Sequence, residues 1–155
     1  MCLATSATAQ PPPYNWQIQK VLSHNVQDTT FVFDTSTIRG KAKDYNIVNL
    51  TYLGKVTTRK GYTFKILTCL WEWNISQRAT SRIVVYNDKN QYVGNYYMYS
   101  TCELPGKMTN GVLLFNIECD DCAKGTRFKL DLKKGLPQKF FLPCKGNYGD
   151  FYTFY

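Results

Sequence analysis

The chain is poor in the residues that most enzymes work with. It has a single histidine, His24, so any mechanism that needs a histidine base has to use that one residue. His24 stands in a polar stretch, Ser23-His24-Asn25, expected to be loop. There is no Gly-rich phosphate loop and no G-x-S-x-G nucleophile elbow, which leaves phosphoryl transfer and α/β-hydrolase chemistry without their sequence signatures. No run reaches the ~18 apolar residues that a spanning helix requires. Internal repeats and low-complexity tracts are absent, so solenoids are excluded. Acidic residues are few, with eleven Asp and Glu against nineteen Lys and Arg, a formal charge of +8. The basic residues are scattered rather than blocked, and no nucleic-acid reading motif accompanies them. Scattered in this way they are first of all a solvated basic surface, and otherwise attract acidic partners such as an anionic glycan, a surface polymer or a protein.

Aromatic and apolar residues are plentiful. Aromatics make up 15% of the chain, including twelve Tyr and nine Phe, and many fall in alternating runs bounded by turn chemistry. That composition and that period favour strands, because flat and β-branched side chains pack on a pleated surface. Strand-like runs are expected at 14–20, 30–35, 46–53, 61–74, 82–86, 91–99, 111–118, 127–133, 138–142 and 150–155. The 61–74 run is apolar on both faces around Leu67–Trp73 and is expected to be central and doubly covered. Around Asn87–Asn90 a polar four-residue loop marks a hairpin. In 127–133, Phe128, Leu130 and Leu132 alternate with charged residues, giving one buried and one mainly cationic face. The expected fold is all-β: a single-domain antiparallel β-sandwich or β-barrel of about eight to ten strands.

The first residues bear on compartment. Ala7-Thr8-Ala9 has the A-x-A form of a signal peptidase site, and Pro11–Pro13 follows. Residues 1–9 are expected to be the back half of an export signal cleaved after Ala9, leaving residues 10–155 as the mature domain. The Ala9-Gln10 junction resembles those of exported Bacteroidota-type proteins, which implies a secreted or periplasmic bacterial protein. Two glycosylation sequons, Asn49-Leu50-Thr51 and Asn74-Ile75-Ser76, have meaning only in a eukaryotic secretory pathway.

Export makes disulfides the ordinary fate of cysteine. Cys69, in the most apolar run, is expected to be buried and reduced. Cys102, Cys119, Cys122 and Cys144 are the disulfide candidates, with Cys119 or Cys122 bridging to Cys144. Alternatively Cys119, Cys122 and Cys144 supply thiolates to zinc, or the C-x-x-C pair has a redox role. A single C-x-x-C without a matching pair is weak support for a metal. The two aspartates between the cysteines also oppose the depressed thiol pKa that redox chemistry needs. No cofactor is expected on the disulfide reading.

Candidate ligand contacts are aromatic. By alternation Tyr92 and Tyr96 share one face of their strand, and Tyr97 and Tyr99 the other, so one pair is free to meet solvent and stack on a partner. Trp71 and Trp73 likewise share a face, as a core pair or as a platform inside a barrel. Glu72, between them, points the opposite way and is placed to pair with Arg78 or Arg82. The C-terminal Asn147-x-Gly149-x-x-Tyr152-x-Phe154 resembles the closing strand of bacterial outer-membrane barrels. The function these features favour is an exported, non-catalytic binding module. A lipocalin-like carrier is the first alternative, a cysteine-based metal or redox protein the second, and a small outer-membrane barrel the last.

Overall fold

The structure, a computed structural model, describes residues 10–155. The expected export signal, residues 1–9, lies outside the described residues. The chain opens with one helix, α1 (Asn15–His24), and continues in strands. These are β1 (Thr30–Asp34), β2 (Thr37–Arg39), β3 (Ala42–Thr57), β4 (Thr63–Asn74), β5 (Arg78–Asn87) and β6 (Tyr92–Met98). After a single 3-10 turn at Thr101–Glu103 come β7 (Lys107–Thr109), β8 (Val112–Ile117), β9 (Thr126–Asp131), β10 (Lys139–Lys145) and β11 (Tyr148–Thr153). Two of these eleven strands, β2 and β7, are only three residues long and were not expected from the sequence.

The helix replaces an expected strand. Tyr14, Trp16 and Ile18 alternate as a strand would, yet the buried residues are Tyr14, Gln17, Ile18, Val21 and Leu22. That is the i, i+3, i+4, i+7, i+8 stripe of a helix lying on a core. A polar Gln17 inside the stripe hides the period. The helix ends where Asn25 turns left-handed (φ 53°) and returns its N–H to the Val21 carbonyl at 3.2 Å, a C-terminal cap that Asn adopts at little cost.

The main sheet is antiparallel in the order β1-β3-β4-β5-β6, with β2 paired to the start of β3. Two smaller antiparallel units, β7-β8-β9 and β10-β11, form the second layer. None of these sheets closes, so the fold is all-β and sandwich-like rather than a barrel. The central strands are covered on both faces, as their apolar runs require. On one face Leu53, Ile66, Ile83 and Val85 pack against Leu113, Phe115, Phe140 and Tyr152 of the second layer. On the other, Leu50, Leu67, Cys69 and Val84 pack under Ile18, Val21 and Leu22 of α1.

The second layer is stapled by disulfides Cys102–Cys119 and Cys122–Cys144. They tie the loop after β8 to the 3-10 turn on one side and to β10 on the other. Cys69 is free and buried. The C-terminal motif is used within this open fold. Tyr152 is buried and donates its hydroxyl to Glu103 at 2.6 Å, and the Phe154 ring lies 5.0 Å from that of Tyr96. Beyond β11 the chain bridges to β6: Asn95 N–H donates to the Tyr155 carbonyl at 2.9 Å, and the return bond is 3.0 Å.

One irregularity reorganises β6. Val85 pairs with Gly94 while the next residue, Tyr86, pairs with Tyr92, so Val93 is an extra, bulged residue. A bulge shifts side-chain parity by one. Tyr92 therefore faces the helix side, whereas Tyr96 and Met98 face the second layer. The expectation that Tyr92 and Tyr96 share a face is corrected by this residue.

Gly94 sits where β6 and the C-terminal segment touch. A Cβ there would lie 2.3 Å from the Tyr155 carbonyl oxygen and 2.6 Å from Cζ of Phe154, so the β6 to C-terminus bridge has to move. Gly94→Ala is expected to lose about 1–3 kcal/mol in urea unfolding, the usual range for overpacking. An unchanged midpoint would mean that this bridge contributes nothing to stability.

Candidate ligand-binding cleft

The helix-side face of the main sheet is read most simply across the strands. Leu50, Cys69, Arg82 and Tyr97 form one continuous row over β3, β4, β5 and β6. The ten-residue α1 covers the first half of this row. It is moored to the β5–β6 hairpin by Tyr86 Oη donating to Asn15 Oδ1 (2.6 Å) and by Gln19 Nε2 donating to the Asn90 carbonyl (2.9 Å). The hairpin itself is held by Asn87 Oδ1, which accepts from the N–H groups of Lys89 and Gln91, both at 2.9 Å.

Past the edge of α1, Arg82, Tyr92, Asn95, Tyr97 and Tyr99 line an open cleft of about 590 Å³. The Pro11–Pro13 segment forms one wall, with Pro12 buried, and Phe151 and Tyr155 form the other. Four of these rings are well exposed: Tyr97 at 41%, Tyr99 at 68%, Phe151 at 56% and Tyr155 at 73%. So many solvent-facing aromatic rings in one depression form the kind of patch that marks an interaction site. Tyr92 is half-buried, with its ring 5.5 Å from that of Tyr86 and its hydroxyl accepting from Asn95 Nδ2 at 2.7 Å.

Arg82 forms the floor. Its guanidinium lies 5.4 Å from the centre of the Tyr97 ring, an attractive cation–π arrangement. Its Nε is buried without a hydrogen-bond partner. Among the described residues there are only two ion pairs, Arg39–Asp44 and Lys43–Asp34, both at the far β1–β3 end. Behind Arg82 lie Cys69 and Tyr14. Burial pushes the Cys69 thiol up to about 12, against the smaller opposing influences of Tyr14 and Arg82. Burial also raises the Tyr14 hydroxyl well above the usual phenol range. Both groups are therefore neutral at physiological pH.

The other sequence candidates are placed differently. Tyr96 is fully buried, donates its hydroxyl to the Pro137 carbonyl at 2.6 Å, and packs on Phe140. It is a core residue and not part of the cleft. Trp71 and Trp73 do share a face and stack at 5.6 Å, but on the helix side of an open sheet. Trp71 packs edge-on to Tyr14, donates Nε1 to Asn46 Oδ1 at 2.9 Å, and lines a separate recess of about 230 Å³ beside Pro13 and Trp16. Trp73 stands under Arg78, 5.7 Å away. Glu72 is paired with neither arginine; it accepts from Gln77 Nε2 at 3.4 Å.

His24 lies on the last turn of α1 rather than in a loop, with Nδ1 2.7 Å from the Lys20 carbonyl. The sulfurs of Cys119 and Cys122 and the Asp121 carboxylate lie within 4.8 Å of one another. Zinc ligation by Cys119, Cys122 and Cys144 needs thiolates, and all three sulfurs are bridged here. Residues that the sequence did not offer as ligand contacts, Arg82, Asn95, Phe151, Tyr155 and the prolines, supply most of the cleft. Tyr97 and Tyr99 are the tyrosine pair that reaches solvent.

Comparisons of this chain with protein-family models, with curated proteins and with solved structures find no match.

Burial governs the reactivity of Cys69, the one free thiol among the described residues. Cys69 is expected to resist alkylation by iodoacetamide at pH 8 in the folded protein and to react in guanidinium, as mass spectrometry of the Cys69 peptide would show. Rapid labelling of the native protein would show that the helix side opens.

Proposed function

We propose that this chain is a non-catalytic binding module that holds a glycan in the cleft between β6, β11 and the Pro11–Pro13 segment. The observation that supports the reading is the set of exposed rings, Tyr97, Tyr99, Phe151 and Tyr155, gathered around the polar side chains of Asn95 and Arg82. A pyranose ring presents an apolar C–H face and a polar rim. Aromatic faces take the first and hydrogen-bonding groups the second. Prolines in one wall add a stiff apolar surface at little conformational cost.

The compartment in this reading is secreted or periplasmic, in a bacterium. Two disulfides are compatible with an oxidising space, and no helix among the described residues is long and apolar enough to cross a membrane. The open sheets enclose no barrel interior, so no specific observation favours the lipocalin-like carrier.

Stacking makes a defined demand on single residues. Tyr97→Ala and Tyr99→Ala are each expected to weaken oligosaccharide binding by about three- to tenfold, the worth of one aromatic contact, with little change in thermal midpoint. Tyr96→Ala is expected to cost about 3–5 kcal/mol of stability, as large core truncations do. Affinity electrophoresis across a polysaccharide panel, with unfolding curves in parallel, separates the two effects. Unaltered retention in both Tyr97→Ala and Tyr99→Ala would remove the cleft from the case.

A further inference from the structure

Arg82 carries a positive charge into a cleft whose lining includes no Asp or Glu. The guanidinium has five N–H donors. Its Nε is buried without a hydrogen-bond partner, its polar neighbours on the interior side are the Tyr14 hydroxyl and the Cys69 thiol, and among the described residues no carboxylate lies within ion-pair distance. Two carboxylates act on Tyr152 in the cleft wall: Glu103, taken up by the Tyr152 hydroxyl at 2.6 Å and the Ser100 N–H at 3.0 Å, and Asp150, which does not line the cleft. Cys69 and Tyr14, the two titratable neighbours on the interior side, remain uncharged.

A half-buried cation without a counter-charge is costly unless something else supplies one. Tyr97 lies against the guanidinium, and Arg82 also lines the open cleft, where a ligand can reach it. Arginine's planar fork matches the two oxygens of a carboxylate. Other orphaned polar atoms gather on this same side of the sheet: the Tyr14 hydroxyl, Gln17 Oε1, Trp73 Nε1 and Thr80 Oγ1. The opposite face of the sheet has no such atom among the described residues. Polar demand and unbalanced charge therefore fall on the side where the cleft opens.

We infer that the cleft selects acidic sugars, with Arg82 receiving the carboxylate of a uronic acid residue while Tyr97 or Tyr99 stacks on its ring. This rests on the glycan reading above and adds the class of sugar. The remaining positive charge of the chain, +8 in all, would draw such a polymer in at long range but would not orient it.

The test compares matched oligosaccharides that differ only in charge. Galacturonate, glucuronate and mannuronate oligomers, and the methyl ester of each, are titrated calorimetrically into the full chain. The expected result is one acid that binds at least about tenfold more tightly than its ester. Arg82→Gln should abolish that preference, bringing the affinity of the acid to that of its ester. Arg82→Lys, which retains charge without the fork, should fall between the two. Circular dichroism and unfolding curves show whether each variant is folded, and the wild-type comparison of acid with ester stands whatever the variants do. Equal affinity for an acid and its ester would overturn the selection for charge and leave the glycan reading in place. No binding of any acid or ester would overturn both. An acid preference that survives in folded Arg82→Gln would move the site away from Arg82.

Discussion

Everything in this molecule follows from a sheet whose central strands are apolar on both faces. β3, β4 and β5 place Leu50, Leu67 and Val84 on one side and Leu53, Ile66 and Ile83 on the other. Such strands have to be buried twice, and neither available cover is stable alone. A ten-residue helix is too short to persist in water by itself. Units of two and three short strands are likewise marginal. Each cover gains its order from the sheet. The second layer is further restrained by two disulfides that close on the same short loop, between Ile117 and Thr126.

The covers are also incomplete, and the cleft is the consequence. α1 spans the β3–β4 half of the helix-side face and stops short of β6. The strip that remains would be an apolar liability if its parity were regular, because Tyr96 and Met98 would then share the face of Tyr92. The bulge at Val93 turns Tyr96 and Met98 into the core and leaves Tyr97 and Tyr99 outside. Rings with a polar hydroxyl tolerate that position, and they meet Phe151 and Tyr155 because the C-terminal segment bridges to Asn95. One inserted residue thus decides which tyrosines support the fold and which face solvent.

Charge follows a different logic from packing. The chain carries far more basic than acidic groups, and the two ion pairs among the described residues lie at the opposite end of the sheet from the cleft. Most lysines are solvated and need no partner. Arg82 differs because the strand places it between a neutral thiol, a neutral phenol and an aromatic ring. Its position, rather than the overall charge, gives the electrostatics of this protein a direction.

Strand positions from Thr30 onward, the three-residue β2 and β7 excepted, were legible in the sequence because alternation and turn chemistry are local. So were the hairpin at Asn87–Asn90, the doubly covered β4, the buried Cys69 and the four bridged cysteines. The first element was misread because a polar Gln17 interrupts the helical stripe and an aromatic alternation imitates a strand. The pairing of cysteines, the open rather than closed sheets and the cleft were not legible, since each depends on residues far apart in the chain. The sequence by itself determined that strands would form and that some would be buried on both faces, because periodicity and apolar content act over a few residues. Only the tertiary structure decided which tyrosines face solvent and where Arg82 stands without a counter-charge. Strand parity, the reach of α1 and the return of the C-terminus to β6 are set by packing across the whole molecule.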